Sequence, residues 1–306
     1  MKHLLKLLDL SKEEIMTILN KADQMKYDLQ NSIPHKVLEG KTLAMIFQKA
    51  STRTRVSFET GMYQLGGQAL FLTHNDLQIG RGEPVEDTAR VLGRYVNGVM
   101  IRTFAQEEVE ALAKWANIPI INGLTDFEHP CQILADLMTI REHYATLEGL
   151  QLAYIGDGNN VCNSLIVGCL KCDMAVSVAT PKGYEPHPDI LEFASQYPGK
   201  FTLTTSPQEA ATGADVLVTD VWASMGQEEE AKQRMKDFAG FQLNNELYSH
   251  ANPKAMVLHC LPAHRDEEIS AEIFDAHATE IFDEAENRLH AQKAVMALLM
   301  GDTNNA

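Results

Sequence analysis

Cationic and hydroxyl side chains follow several of the short apolar runs that predict buried strands, and they are the residues best placed to do chemistry. The run from Leu43 to Phe47 precedes the segment 51–55, which reads Ser-Thr-Arg-Thr-Arg and leads into a helix. Backbone N–H groups at a helix start favour an anion, and arginine can hold a phosphate through two parallel hydrogen bonds. The segment therefore predicts a phosphate site, with a serine-capped helix and solvated arginines as the plainer alternative.

Three more positions in the sequence fit the same anion-binding chemistry. Arg102 follows the predicted strand Val99 to Ile101, and the segment 129–132, His-Pro-Cys-Gln, opens a helix soon after another predicted strand, Ile118 to Ile121. An imidazole and an amide can both donate hydrogen bonds to an oxygen that gains negative charge. Arg288 lies on the apolar stripe of the last predicted helix, where a cation requires an anionic partner unless its side chain extends to the solvated rim.

The second half of the chain offers amides and carboxylates after its strands. Asn159 and Asn160 follow one predicted strand, and Asp220 follows another. No lysine or arginine occurs from Gly213 to Ala231. A ligand that touches this segment is therefore expected to be cationic.

Two other patterns in this half do not support a cofactor or a metal. The glycine pattern that begins at Gly156 fails at its third glycine, where Val161 stands, so a dinucleotide site is rejected. Cys169 and Cys172 form a CxxC pair without a second pair at zinc spacing, which indicates two buried thiols. Cys260, by contrast, directly follows a predicted strand and is placed to reach a ligand.

Composition narrows the classes of partner. The chain has 306 residues with 26 basic and 42 acidic side chains, a net charge of −16, which disfavours nucleic acid and anionic membrane surfaces. No apolar run approaches the ~18 residues of a membrane span. Five scattered cysteines are typical of free thiols in a reducing cytoplasm, where we expect the protein to act.

Predicted strands alternate with predicted helices in both halves, which favours two parallel-sheet α/β domains. The expected division is residues 1–148 with the C-terminal helix 285–306, and residues 149–284. Ligands of such sheets bind beyond the carboxyl ends of the strands. The residues singled out above are expected at those ends.

The motifs together resemble the ornithine carbamoyltransferase family across nearly the whole chain. The first two of them are shared among carbamoyltransferases, and the last two are specific to the ornithine branch. The motifs are Ser51-Thr52-Arg53-Thr54-Arg55, His129-Pro130-Cys131-Gln132, Asp220-Val221-Trp222 with Ser224-Met225-Gly226, and His259-Cys260-Leu261-Pro262. The resemblance implies that the last helix returns to the first domain, and that the chain forms a homotrimer, or an assembly of trimers, with active sites between subunits. It also implies that Gln78 reaches the neighbouring subunit's site.

The resemblance implies a transferase that moves the carbamoyl group of carbamoyl phosphate to the δ-amine of L-ornithine, giving L-citrulline. The residues expected to contact carbamoyl phosphate are Ser51, Thr52, Arg53, Thr54, Gln78, Arg102, His129, Pro130, Cys131, Gln132, Cys260, Leu261 and Arg288. Those expected to contact ornithine are Asn160, Asp220, Ser224 and Met225. The catalytic roles fall to Arg53, Arg102, His129, Asp220 and Cys260. No metal or cofactor is expected, because phosphate is already a good leaving group and positioning can suffice.

Several alternatives remain beside this interpretation. The acceptor could be putrescine or N-acetylornithine, although the Ser-Met-Gly loop of the family grips a free α-amino acid. Aspartate is disfavoured because the resemblance implies that this acceptor requires a lysine from the loop that corresponds to Asp76 to Pro84, as in aspartate carbamoyltransferases, and the loop has none here. The chain could also be an inactive relative that only binds small molecules, whereas a nucleotide-dependent oxidoreductase is excluded with the failed glycine pattern. The sequence leaves open whether citrulline is made for arginine synthesis or in arginine breakdown.

Overall fold

Two separate parallel sheets, each covered by helices, make up the fold. The computed structural model describes residues 1–73, 77, 82–223 and 230–301. Within these residues, four strands form one sheet and five form the other, and every pairing between strands is parallel. The predicted fold class is thereby confirmed. Among the described residues no helix combines the length and the apolar character needed to cross a lipid bilayer.

The first sheet has the strand order β2-β1-β3-β4. Its strands are Thr42–Phe47 (β1), Gln68–Thr73 (β2), Gly98–Arg102 (β3) and Ile120–Leu124 (β4). The helices of this part of the chain are Lys12–Gln30 (α1), Thr52–Gln64 (α2), Val85–Tyr95 (α3), Gln106–Trp115 (α4) and Pro130–Tyr144 (α5). One buried apolar cluster joins this sheet to α3 and α4, and includes Ile46, Ile101, Ala89, Val109 and Leu112.

The second sheet has the strand order β7-β6-β5-β8-β9. Its strands are Gln151–Ile155 (β5), Ala175–Ala179 (β6), Phe201–Thr204 (β7), Val216–Thr219 (β8) and Met256–His259 (β9). The helices are Asn160–Lys171 (α6), Pro188–Ala194 (α7), Pro207–Ala211 (α8), Ala231–Asp237 (α9), Asn245–Tyr248 (α10), Ala271–Ala276 (α11) and Ala278–Met300 (α12). A buried cluster around Leu217, Val257 and Phe238 forms the core beside this sheet.

The chain separates into two compact units. Met1–Ala135 and the segment from Asn287 belong to the first unit, and Asp136–Glu286 forms the second. The changes of unit fall within α5 and α12, because each of these helices contributes residues to both units. The division at residues 148 and 149 inferred from the sequence stays a prediction.

In the first sheet, strand order places a crevice between β1 and β3. The chain passes from β1 to β2 on one side and then returns to β3 on the other, so the order reverses beside β1. Phe47, the last residue of β1, stands opposite Arg102, the last residue of β3. Crevices at such reversals, outside the carboxyl ends of the strands, are the usual ligand sites of these sheets.

The second sheet repeats this arrangement between β5 and β8. The chain runs from β5 through β6 to β7 and then returns to β8 on the other side of β5. The loop after β5 carries Asn159, and the loop after β8 carries Asp220. Both units therefore present side chains singled out in the sequence at the position where ligands are expected.

Local sequence signals explain the helix starts that bear on these crevices. Ser11 and Glu14 form a capping box at the start of α1, each accepting a hydrogen bond from the other's backbone N–H. Ser51 caps α2 by accepting from the N–H of Thr54. Asn159 caps α6 by accepting from Val161 and Cys162.

Three elements differ from the sequence-based expectation. The fourth strand runs from Ile120 to Leu124 rather than from Ile118 to Ile121, since the amide nitrogen of the buried Asn122 donates to the Leu5 carbonyl, at 2.9 Å, and need not face water. Strand β7 was not predicted, because it is a partly exposed edge strand without a strong apolar pattern. Helix α12 begins at Ala278, seven residues before the predicted start at Ala285, because its first two turns contain exposed residues that obscure the apolar stripe.

The glycine-rich turn after β5 is a packing feature. A Cβ atom on Gly158 would lie 2.4 Å from the Glu185 carbonyl carbon, so only glycine fits there. Asp157, beside it, pairs with the Arg234 guanidinium at 2.7 Å. These contacts within the protein explain the turn without a dinucleotide.

Candidate functional site

The start of α2 gives the first unit an anion-binding geometry. Ser51 Oγ accepts from the Thr54 N–H at 3.2 Å and donates to Thr54 Oγ1 at 3.0 Å. Thr52 and Arg53 occupy the first turn, where helix N–H groups lack partners within the helix. Ser51, Thr52 and Phe47 also line a cleft of about 420 Å³ at this end of β1.

A second arginine-bearing strand end lies beside this helix start. The Arg102 side chain is buried, and the backbone carbonyl of Arg102 accepts a hydrogen bond from the backbone N–H of Gln48 at 2.9 Å. That bond joins the loop after β1 to the end of β3, so Arg102 is held next to the turn that leads into α2. The predicted association of these two strand ends is therefore present in the structure.

Helix α12 supplies the third arginine. Arg288 is 3% exposed, and its Nη1 donates to Gln132 Oε1 at 2.6 Å. Its Nη2 donates to Thr54 Oγ1 at 3.3 Å. Thr54 Oγ1 thus accepts from two donors, Ser51 and Arg288, which leaves the hydroxyl hydrogen of Thr54 to donate to a ligand.

His129 stands at the start of α5 within the field of these cations. Its side chain is buried, and burial is the main cause that lowers its pKa well below the usual range. The positive charges of Arg288, Arg102 and Arg53 lower the pKa further, in that order. The imidazole is therefore neutral near pH 7 and offers an N–H donor without adding charge.

The two residues after His129 have local structural roles as well. Pro130 is the first residue of α5, a position where a missing N–H costs nothing. The Cys131 thiol is buried, points to the Asn122 carbonyl at 3.4 Å, and has its pKa raised by burial to about 12. Any contact of Cys131 with a ligand therefore has to come from its backbone.

In the second unit, Asp220 is the centre of a small buried network. Its Oδ1 accepts from the Val221 N–H at 2.8 Å and from the Cys260 thiol at 3.2 Å. Its Oδ2 accepts from Asn159 Nδ2 at 2.8 Å. The carboxylate is thus fixed at the end of β8 by three donors, and the thiol expected from the sequence lies beside it.

The roles of the two neighbouring asparagines are divided. Asn159 Oδ1 accepts from the N–H groups of Val161 and Cys162, at 3.0 and 3.1 Å, while its amide nitrogen holds Asp220. Asn159 is therefore a positioning residue that was not assigned such a role from the sequence; its place just before the apolar helix was the available signal. Asn160 is the first residue of α6, and its assignment to ornithine from the sequence stays a prediction.

The turn after β9 is held by His259, which belongs to a motif of the sequence but received no role from it. His259 Nδ1 accepts from the Leu261 N–H at 3.0 Å, so its Nε2 carries the hydrogen that points to Glu268 Oε1, also at 3.0 Å. Leu261 has a φ of +59°, a strained conformation for a side-chain-bearing residue, and its peptide bond to Pro262 is cis. The imidazole therefore holds the backbone of Leu261 through its N–H group.

Cys260 is a protonated thiol in this setting. Burial of the sulfur raises its pKa well above the ordinary range, and the charges of Asp220 and Glu284 raise it further. The thiolate is the nucleophile in thiol chemistry, so Cys260 acts near pH 7 as a hydrogen-bond donor to Asp220.

This assignment predicts slow chemical modification. Iodoacetamide at pH 7.5 is expected to alkylate Cys260 in the native protein at least about tenfold more slowly than in the unfolded chain, because little thiolate is present. The variant Asp220→Asn should speed that reaction, since it removes a negative charge that raises the thiol's pKa. Peptide mapping by mass spectrometry measures both rates, and equal rates in native and unfolded protein would contradict the assignment.

Three residues assigned to ligands from the sequence lie outside the described residues. They are Gln78, Ser224 and Met225. The remaining assigned residues fall into two sets, one in each compact unit. The first set contains the cations, the hydroxyl residues and the segment 129–132, and the second contains Asn160, Asp220, Cys260 and Leu261.

Comparison with known families matches two family models to successive parts of the chain. A family model described as the carbamoyl-P binding domain of aspartate/ornithine carbamoyltransferase matches residues 2–142. A second, described as the Asp/Orn binding domain of the same family, matches residues 148–299. Arg53, Arg102 and His129 thus lie in the part of the chain similar to carbamoyl phosphate-binding domains, whereas Arg288 lies in the part matched by the second model.

Individual proteins match over nearly the full length. The chain is 57% identical over 297 residues to an ornithine carbamoyltransferase of Carboxydothermus hydrogenoformans, covering 96% of each chain. It is 56% identical to that of Thermococcus kodakarensis, over 96% of this chain and 94% of the relative. Its structure resembles the ornithine carbamoyltransferase of Pyrococcus furiosus with a TM-score of 0.93 and 53% identity, over 98% and 97% of the two chains.

Proposed function

Because the chain belongs to the aspartate/ornithine carbamoyltransferase family, on its ornithine branch, we propose that it transfers the carbamoyl group of carbamoyl phosphate to the δ-amine of L-ornithine. The products are L-citrulline and phosphate. The observation that carries the proposal is the convergence of Arg53, Arg102 and Arg288 on the neutral imidazole of His129. Three positive charges around a neutral hydrogen-bond donor suit a substrate that carries both a phosphate group and a carbonyl group.

The first unit holds the donor in this account. The N–H groups at the start of α2 and the Arg53 guanidinium bind the phosphate. The Thr54 hydroxyl, Arg102 and His129 donate to the carbonyl oxygen, where negative charge develops as the amine adds. Loss of one such donor typically costs about 10²–10³ in rate. The roles of Gln132 and of the Leu261 carbonyl toward the carbamoyl NH₂ group stay predictions.

The second unit provides the proton acceptor. In the transfer, the lone pair of the δ-nitrogen forms a bond to the carbonyl carbon, and the bond from that carbon to the phosphate oxygen breaks. The nitrogen must lose a proton, and Asp220 is the group that we assign to take it. Cys260 already donates its own hydrogen to Asp220 Oδ1 and its pKa is raised, so the thiol supports the carboxylate and does not compete as base.

A pH dependence follows from the state of the amine. An alkyl amine like that of lysine has a pKa of about 10.4, so roughly one ornithine in 2,500 carries a neutral δ-amine at pH 7. We expect kcat/KM for ornithine to rise about tenfold per pH unit from pH 6 toward 9. The pKa of His129 is lowered, so its imidazole stays neutral throughout this range and adds no step of its own. A flat profile measured under kcat/KM conditions would contradict the account.

The acceptor is tested by offering amines in parallel. Ureido-product formation from carbamoyl phosphate is measured with ornithine, putrescine, N-acetylornithine and aspartate. Strong product with ornithine alone is expected. Product with another amine would keep the donor assignments and overturn the assignment of Asn160, Asp220 and Ser224 to ornithine. No product with any amine would point to an inactive relative.

We further propose a homotrimer, or an assembly of trimers, in which Gln78 reaches the neighbouring active site. The support is the resemblance to the ornithine carbamoyltransferase motifs. Light scattering of the purified protein should give three chain masses or a multiple of three, where one mass is 34.0 kDa.

The proposed compartment is the cytoplasm. All five cysteines are free thiols, and four of them are buried. Free thiols of this kind are typical of reducing compartments.

A further inference from the structure

Helix α12 carries a buried polar residue that the proposed reaction does not use. Gln292 is fully buried and lies four residues after Arg288, so both side chains share one face of the helix. The facing helix, α2, presents Ser57, four residues after Arg53, to the same amide. Burying an amide without hydrogen-bond partners costs free energy, so the partners of the Gln292 amide indicate its role.

Only one orientation of the Gln292 amide satisfies both of its neighbours. A guanidinium has five N–H donors and no acceptor, so the atom facing Arg288 must be the amide oxygen. In that orientation the oxygen accepts from Arg288 Nε at 3.1 Å and from Nη2 at 2.9 Å. The amide nitrogen then donates to Ser57 Oγ at 2.5 Å, while the Ser57 hydroxyl donates to the Arg53 carbonyl at 2.7 Å.

These bonds fix the Arg288 guanidinium from several sides. One edge is held by Gln292, Nη1 donates to Gln132 and Nη2 also reaches Thr54 Oγ1. The amide is neutral, so it orients the guanidinium and leaves its full positive charge for a ligand. A carboxylate of the same length would orient the group and also neutralise it.

We propose that Gln292 is a positioning residue for the donor site. It fixes the orientation of the Arg288 guanidinium that contacts carbamoyl phosphate. Through its hydrogen bond to Ser57, it also links this guanidinium to the backbone carbonyl of Arg53. The inference rests on the proposed function, since it takes carbamoyl phosphate as the ligand of Arg288. Gln292 does not touch the ligand in this account. It acts through the orientation of Arg288, and its loss should therefore affect the donor and spare the acceptor.

A double-variant cycle tests this role. Gln292→Met keeps the length of the side chain and removes its hydrogen bonds. We expect it to raise the KM for carbamoyl phosphate about tenfold, in line with the loss of hydrogen bonds to a charged group, while the KM for ornithine changes less than twofold. In an Arg288→Met background the same substitution should change the KM for carbamoyl phosphate less than twofold, because the group that it orients is gone.

Two further variants keep the test decisive. Gln292→Glu preserves the acceptor oxygen but adds a negative charge, and should raise the KM for carbamoyl phosphate more than Gln292→Met does. Ser57→Ala removes the anchor of the amide and should raise it about threefold, which tests the proposal even if Gln292→Met does not fold. Melting temperatures establish that each variant is folded.

The proposal is overturned if Gln292→Met leaves the KM for carbamoyl phosphate unchanged, or if its effect is the same with and without Arg288, since the residue then serves packing alone. Failure of the proposed function is a different result, in which the wild-type protein makes no citrulline. In that case the same cycle is measured as the Kd for inorganic phosphate by calorimetry. Coupling between Gln292 and Arg288 would still support the positioning role, and its absence would overturn it.

Discussion

Replacing Arg53 with alanine is expected to lower kcat/KM for carbamoyl phosphate by about 10³-fold, with the KM for ornithine changed less than threefold. Arg53 lies in the first turn of α2, and its charge is among those that lower the pKa of His129. The substitution removes a bidentate donor to the phosphate together with charge stabilisation near the carbonyl oxygen, a loss worth about 10²–10³ by itself. Steady-state kinetics with each substrate varied in turn measures the effect.

The matched control for this variant is Arg90→Ala, which removes a cation from the same unit. Arg90 lies on the surface of α3, where it pairs with Asp87 at 3.0 Å and stacks on the Trp115 ring. We expect its kinetic constants to stay within twofold of the wild type. Equal losses for both arginine variants, or a rise in the KM for ornithine as large as that for carbamoyl phosphate, would show that Arg53 does not act on the donor.

The second large effect is expected for Asp220→Asn, which should lower kcat with ornithine by about 10³-fold. An amide has nearly the shape of the carboxylate but cannot take the proton from the attacking amine, and such proton transfer typically contributes about 10²–10⁴ in rate. The KM for carbamoyl phosphate should change less than threefold. The hydrogen bond from Asn159 loses a charged acceptor, so a lower melting temperature is expected as well.

Asp189→Asn is the control for that charge change. Its carboxylate belongs to the same unit, lies at the start of α7 and is largely exposed. Activity within twofold of the wild type is expected. If Asp220→Asn keeps more than a tenth of the wild-type kcat, Asp220 is not the proton acceptor.

The parts of the site that sequence could predict are those with a local signal. Arg102 and Asp220 follow apolar strands directly, and the parallel sheets bring such strand ends to one edge. Ser51 and Pro130 mark helix starts by residue type alone. Chemistry that depends on a strand end or on a helix cap is therefore recoverable from one sequence.

The parts that sequence could not predict depend on contacts between distant segments. Glu268 lies nine residues after His259, and nothing in their spacing indicates that the imidazole links this carboxylate to the Leu261 backbone. Gln292 meets Ser57 across 235 positions of chain. Such buried polar contacts are set by how helices pack, which a periodic pattern of apolar residues does not encode.

The helices and strands differ in the same way in how well the sequence predicts them. The run from Leu43 to Phe47 is a buried apolar run, and the observed strand β1 extends it by one residue, to Thr42. The edge strand β7 and the exposed first turns of α12 have weak apolar patterns, and both were missed or shortened. The pattern of apolar residues predicts which residues are buried. It therefore predicts a helix or a strand only where that element has a buried apolar face.

The central claim is the formation of a bond between the carbamoyl carbon and the δ-nitrogen of ornithine. The most direct measurement mixes the protein with carbamoyl phosphate labelled with carbon-13 and with ornithine labelled at the δ-nitrogen with nitrogen-15, and follows the carbon signal by NMR. We predict a new ureido carbon signal split by its coupling to nitrogen-15, growing at the rate at which phosphate is released. Phosphate release without that signal, or a ureido carbon without the coupling, would contradict the account.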